Sequence, residues 1–354
     1  FKKSNPEIID EADLISSALN RATLTCTEKA LLIIHFSIDC LSQKMPQSFI
    51  SNISKLEKMV ANPECPMDED FIRDYGDMIK ELPSMIRRTG DRLNRWLLEF
   101  DEKLSTADEE IKSLQLASIS PELAKKTHFN LAVFGTYKPN HAPIRISYFV
   151  GHLKVYQSKQ NPKDVVLRGE DGGFYQYLLK GNEDLRLDER VMQVFKLINS
   201  LMKQNPLFST SGIQTMEVIP LTNSNGLVQW VTRTDTLTSL IEKYRKLKGV
   251  STTGEYEYAS EQYPRSLDSL THLQRLQLYQ KIFREFPDTD VANLMWLRAP
   301  NAEMWLKQVH TFANSTAVNS MVGYIIGLGD RHPSNLLMDR STGRVIHIDF
   351  GDCF

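Results

Sequence analysis

The sequence predicts an α+β chain: an all-helical N-terminal bundle, then a β-rich lobe, then a mainly helical lobe. Three observations predict it. Up to about residue 118 apolar residues recur at three- and four-residue steps and glycine is almost absent. From about residue 129 the period shortens to two, and helical spacing returns near Leu270.

Residues 1–118 read as four or five helices with short connections, an antiparallel bundle. Ile34, Ile38, Leu41 and Met45 carry the helical spacing in one segment and Ile72, Tyr75, Ile79 and Leu82 in another; Pro46, Pro63, Pro66, Pro83 and Gly90 punctuate the segments. Trp96 and Phe100 stand one turn apart, either as core aromatics or as a half-exposed docking surface. Residues 131–134, 144–146 and 153–156 then read as strands. A hairpin follows, 164–168 and 174–180, around the glycine-rich turn 169–173. After Gly181 a long amphipathic helix is expected, with Val191, Phe195, Ile198 and Leu201 inward. Strands over 214–221 and 226–231 meet at the turn 222–225. Residues 249–266, polar with three tyrosines, read as an irregular loop. Helices resume near Leu270, Asp288 and Ala302.

Charge is nearly balanced, 42 basic against 44 acidic residues, which excludes a dominant electrostatic partnership with nucleic acid. Cys26, Cys40, Cys65 and Cys353 show neither metal-ligand nor disulfide-framework spacing and read as reduced thiols of a cytosolic protein. Apolar runs fall far below the roughly 20 residues of a membrane span. Both ends read as cuts through a larger protein.

The chemistry concentrates in residues 323–354. Asp330 is followed by Asn335 at five positions and by Asp349, which opens an Asp-Phe-Gly, at nineteen. Phosphoryl transfer needs these groups: an Asp to orient the hydroxyl and take its proton, an Asn on one metal ion, a second Asp on metal against the phosphates. Ordinary protein kinases write His-Arg-Asp with Asn at the same offset; here the order is Asp-Arg-His, with His332 on the other side. Residues 336–338 and 345–348 read as a hairpin that holds Asn335 and Asp349 near one another at its open end. Upstream, Lys180 ends a strand ahead of Glu183, Asp184 and Asp188. A kinase needs a strand lysine on the nucleotide phosphates, held by a carboxylate; Glu183 is the preferred partner among the three. A solvated strand-end lysine is the plain alternative. No Gly-rich or Walker loop occurs, and the phosphate loop falls to Tyr148–His152, with Val150, Gly151 and His152 at its tip. Trp230, stacked on a base, and the Val231 backbone are the expected adenine contacts; a core-filling tryptophan is the plain alternative for Trp230. The fold expected is therefore a helical bundle followed by a bilobal kinase-like domain whose large lobe is incomplete.

These residues resemble the phosphatidylinositol-3-kinase-related protein kinases, and within them the target-of-rapamycin (TOR) kinases. The likeness rests on 178–193, Val218-Ile219-Pro220-Leu221, 320–335 and the closing His347–Phe354, with Pro333-Ser334 and Gly351-Asp352-Cys353-Phe354 favouring TOR. The resemblance implies Lys180 on ATP phosphates, Glu183 as its partner, Asp188 deeper in the pocket, and Val150, Gly151, His152, Ile219, Trp230 and Val231 around the nucleotide. It implies Asp330 as catalytic Asp, His332 near the transferring phosphate, and Asn335 and Asp349 on metal. Residues 1–28 would end a FAT helical-repeat region, 29–118 would be a four-helix rapamycin-binding-like domain, 119–231 a small lobe and 232–354 a large lobe. ATP with Mg²⁺, or Mn²⁺, is the implied cofactor set. Implied partners are protein substrates, a WD40 β-propeller subunit near 249–275 and a large helical-repeat scaffold subunit, in the cytoplasm or peripheral on endomembranes. Departures stand at Met216, where a tyrosine is usual, His152, where a serine is usual, and Lys103, where an aromatic is expected. The last predicts weak or absent binding of an immunophilin–rapamycin complex.

The expectation is a Ser/Thr protein kinase of growth and nutrient signalling, inactive as this stretch alone. A phosphoinositide lipid kinase shares the motifs. A pseudokinase scaffold would lack one of Lys180, Asp330, Asn335 or Asp349, and all four are present.

Overall fold

A computed structural model describes residues 3–43, 45–86, 91–158, 160–206, 208, 211–263, 269–286 and 288–353. Gly90, Phe354 and residues 264–266 of the expected loop lie outside them. The chain divides into two compact units, residues 1–189 with 216–230 and residues 190–215 with 231–354.

The first unit opens with five helices: α1 (Pro6–Thr23), α2 (Cys26–Ser42), α3 (Pro46–Ala61), α4 (Pro66–Ile86) and α5 (Asp91–Glu110). Proline starts α1 and α3, where its missing N–H costs nothing. Thr25 and Glu28 cap α2 reciprocally as a capping box. Helix α4 continues through Pro83 rather than stopping there. The bundle core gathers Ile34, Phe49, Leu56, Ile79, Leu82, Leu97 and Phe100. Trp96 joins it at 6% exposure and packs at a tilt on Phe100 with centroids 4.9 Å apart. Both are core aromatics, and the docking-surface alternative falls away.

After β1 (Ser113–Gln115), short α6 (Leu116–Ile119) and α7 (Pro121–Lys125) come β2 (Ile146–Phe149), β3 (His152–Val155), β4 (Lys163–Gly169), β5 (Phe174–Gly181), β6 (Val218–Thr222) and β7 (Asn225–Gln229). They form one antiparallel sheet in the order β1-β3-β4-β5-β7-β6, with β2 also on β4. Residues 131–134 are no strand. Only Ala132 bridges, to Arg145, and Gly135 turns the chain at φ 76° while Val133 is buried. Alternation gives the sheet two faces. Val165, Leu167, Tyr177, Leu179 and Leu227 pack on Ile15 and Leu19 of α1. The other face carries Lys154, Asp164, Gln176, Leu178, Lys180 and Val228.

Helix α8 (Arg186–Lys203) opens in the first unit and continues in the second. Val191 and Phe195 are buried as expected, but Ile198 is half-buried and Leu201 is 56% exposed. The second unit adds β8 (Thr234–Thr236), α9 (Leu237–Lys248), α10 (Gly254–Gln262), α11 (His272–Glu285), α12 (Asp290–Arg298), α13 (Ala302–Ile325), β9 (Leu336–Asp339) and β10 (Val345–His347). Its strands pair β10-β9-β8. Helix α10 replaces half of the expected irregular loop. Its first turn is held by Arg245, which binds Glu255 from α10 and Asp290 from α12.

Candidate active site

The first unit presents Lys180 and its surroundings. Lys180 pairs with Gly226 of β7, and its Nζ lies 3.0 and 3.2 Å from the two Glu183 carboxylate oxygens, both side chains 18% exposed. The choice left open among three carboxylates resolves to Glu183, which sits in the turn ahead of α8 rather than on the helix and is anchored by its own N–H on the Ser224 carbonyl. Asp184 instead takes Arg186, which holds its carboxyl at about 2, and Asp188 is buried. Val150 and Gly151 link β2 to β3. The Val150 N–H is committed to the Val166 carbonyl, the Gly151 carbonyl accepts from Leu116, and a side chain at Gly151 would meet open space. His152 is exposed.

Trp230 continues the β7 ladder, its N–H on the Gln176 carbonyl, so it shares the Lys180 face of the sheet. Ile219 does not. It pairs with Leu227 and packs into the core on the opposite face, leaving Val218, opposite Val228, as the β6 residue on the Lys180 face. Sequence reasoning missed Tyr156, whose ring stacks on Trp230 at 5.5 Å and 13°. The signal was its period-two spacing from Lys154.

The second unit carries the remaining groups. Asn335 Nδ2 donates to the Asp330 carbonyl at 3.1 Å and to Asp330 Oδ2 at 3.3 Å. The Ile348 N–H donates to the Asn335 carbonyl at 3.1 Å, so β9 and β10 do hold Asn335 beside the segment of Asp349. His332 Nδ1 accepts from the Ser334 N–H, and Nε2 is 3.8 Å from Asp330 Oδ2. Val231 accepts from Thr234 Oγ1 through its carbonyl. Asp330 and Asp349 both adopt left-handed backbone, φ 49° and 63°, a conformation that costs a non-glycine residue about 1–3 kcal/mol and persists only where the surroundings impose it.

Those surroundings centre on Arg331. Its guanidinium donates to the carbonyls of Gly329 (2.7 Å), Ile348 (2.9 Å) and Asp349, lacing the Asp330 loop to the Asp349 loop. Phe350 is buried on Phe195 of α8, centroids 5.5 Å apart. His347 beside this core is pushed down to about 4, by burial first and then by Arg331. The turn between β9 and β10 closes on Asp339, whose Oδ1 accepts from the N–H and hydroxyl groups of Ser341 and Thr342.

Residues 174–354 match the family of phosphatidylinositol 3- and 4-kinases. The chain belongs to this family. The family member is similar to the "Serine/threonine-protein kinase mTor" of Drosophila melanogaster, 35% identical over all of this chain and 15% of that protein. It is also similar to the "Serine/threonine-protein kinase TOR" of Oryza sativa subsp. japonica, 35% identical over 98% of this chain and 14% of that one. With "Serine/threonine-protein kinase tor1" of Schizosaccharomyces pombe the identity is 45% over 69% of this chain and 10% of the relative. The chain thus spans about a seventh of the first two relatives, and within the family its likeness is TOR-like. In fold it matches a structure of the open conformation of CtTel1 (TM-score 0.56, 21% identity, 93% of this chain and 14% of that one). It likewise matches the FAT and kinase domain of CtTel1 (TM-score 0.53, 21% identity, 91% and 22%). The architecture is a helical region followed by a sheet-containing kinase domain.

Proposed function

We propose that this chain carries the nucleotide site and phosphotransfer centre of an ATP-dependent serine/threonine protein kinase of TOR type. The observation that supports it most is the assembly of Asp330, Asn335 and the Asp349 loop around one hairpin mouth, laced by Arg331 and held in left-handed backbone at both carboxylates. In this reading Asp330 accepts the proton of the attacking hydroxyl. The hydroxyl oxygen bonds to the γ-phosphorus as the bond to the β–γ bridging oxygen breaks, and ADP leaves. His332 faces the transferred group. Lys180, held straight by Glu183, binds phosphate oxygens; Asp188, Val150, Gly151 and His152 line the nucleotide, with Trp230 and Val231 at the base.

The donor set fits a hard cation. With Nδ2 engaged on Asp330, Asn335 offers its amide oxygen, and Asp349 is an exposed carboxylate. Mg²⁺ binds through one or two such oxygens plus substrate phosphates rather than in an all-protein cage. Bound by Asn335 and Asp349, Mg²⁺ or Mn²⁺ would neutralise charge on the phosphates.

Protein hydroxyls, rather than inositol lipids, are favoured as acceptors because the relatives are named as serine/threonine kinases. Leu273, Leu276, Tyr279 and Phe283 are exposed on α11 and would suit a WD40 propeller near 249–275. A large helical-repeat scaffold subunit belongs to the same reading. The cleft beside Tyr75 is lined by Asp74, Glu99, Glu102 and Lys103, a charged rim poorly matched to an immunophilin–rapamycin complex. Among the described residues no helix is long and apolar enough to cross a membrane; cytoplasmic and endomembrane-peripheral placement remains part of the proposal. The domain assignment, a FAT end over 1–28, a rapamycin-binding-like bundle over 29–118 and lobes over 119–231 and 232–354, belongs to it too.

The test assays the complete protein on a peptide and on phosphatidylinositol vesicles. Asp330→Ala should cut peptide phosphorylation by about 10²- to 10⁴-fold, the range general-base removal produces. An undiminished rate, or transfer to lipid alone, overturns the reading.

A further inference from the structure

The sheet face that carries Lys180 is not open where a base would lie. Gly226, Val228 and Trp230 alternate onto it, opposite Lys180, Leu178 and Gln176, and Lys154 reaches it opposite Asp164. Tyr156, two residues beyond Lys154, lays its ring on Trp230 with centroids 5.5 Å apart and planes within 13°. The ring is held from a second side by Lys154 Nζ, 4.9 Å from its centroid. Its hydroxyl lies within reach of the Asp164 carboxylate, itself bound by Gln176 Nε2 at 2.7 Å. A flat ring cannot slip between these two. Carbon atoms in contact stand about 3.5 Å apart, so a sandwich needs roughly 7 Å between planes.

Resting on the proposed nucleotide reading, we infer that Tyr156 is a built-in competitor of the nucleotide base: it occupies the Trp230 platform, and a purine binds by displacing it. Tyr156 thereby sets affinity and selects for ligands whose flat ring stacks on Trp230 better than a phenol does. The phosphates do not feel this exchange, because Lys180 and Glu183 stand at the far end of β5 and keep their own ion pair.

The experiment measures equilibrium binding of ATP, adenosine and inorganic tripolyphosphate to the complete protein. Tyr156→Ala should tighten ATP and adenosine by the same factor, about 2- to 10-fold, the worth of one aromatic stack, and leave tripolyphosphate unchanged. Tyr156→Phe keeps the ring and loses only the hydroxyl beside Asp164, so it should fall between the wild type and Tyr156→Ala. Lys154→Ala frees the ring without removing it and should tighten both ligands by roughly 2- to 5-fold, which keeps the inference testable should Tyr156→Ala fold poorly. Unchanged or weaker adenosine binding in both Tyr156→Ala and Lys154→Ala overturns it. Failure of the underlying reading looks different: ATP binding would then be indifferent to both Lys180→Met and Trp230→Ala.

Discussion

At the scale of single residues, the most consequential is one that no motif contains. Lys163 is 1% exposed, and its Nζ bonds Glu28 at 2.6 Å and the Thr23 carbonyl at 3.0 Å, tying the α1–α2 corner to β4. Glu28 also closes the α2 capping box. Removing one partner of a buried pair strands the other's charge, so Lys163→Met should cost about 3–5 kcal/mol in equilibrium urea unfolding. Lys163→Met with Glu28→Gln should recover more than half, because no charge is then left buried; equal losses would show that packing, not charge, governs the site. Cys26 offers a second check. Burial first, then its hydrogen bond to Asp68 at 2.8 Å, pushes the thiol up to about 12. Its alkylation by iodoacetamide at pH 8 should therefore wait on unfolding, as judged by mass spectrometry in native buffer and in urea. Both residues are visible in the sequence, but their burial is not: a lysine in a short strand and a cysteine after a threonine have no local mark of the partners that enclose them.

At the scale of elements, the β9–β10 hairpin was legible because its chemistry is local. Apolar runs flank Asp339-Arg340-Ser341-Thr342-Gly343, Asp339 caps the turn, and Gly343 takes φ 73° without strain. Helix α10 was not legible. Residues 254–262 lack an apolar period, and the helix is stabilised from outside, by Arg245 on Glu255 and by Tyr258 against Phe286. The Arg245 hydrogen bonds hold the Glu255 carboxyl below its ordinary 4.5, against a smaller effect of burial. A lowered folded-state value means that this stabilisation is fully present above about 4.5 and disappears as pH falls through the lowered value. Glu255→Gln should therefore destabilise at pH 7, and the gap between its unfolding midpoint and the wild type's should close as pH falls below about 4.5. A gap independent of pH would contradict the ion pair.

At the scale of the whole molecule, residues 190–215 fold with 231–354 although they lie between strands of the first unit. Contacts distant in sequence account for it: Phe195 on Phe350, Asn199 on Ile213, and Arg344 on the Gly212 carbonyl. The residues proposed for phosphotransfer could be picked out along the chain, Asp330, Asn335 and Asp349 by their mutual spacing and Lys180 as a strand-end lysine ahead of three carboxylates. Spacing and period also determined the helical bundle, the antiparallel hairpins and the class of chemistry that is proposed. Tertiary structure alone decided that Glu183 is the partner of Lys180, that Ile219 faces the core, that Arg331 laces two loops and that Tyr156 lies on Trp230. Each of these depends on strand register or on side chains meeting across the fold, and a one-residue change of register sends a side chain to the opposite face without altering the local pattern that the sequence displays.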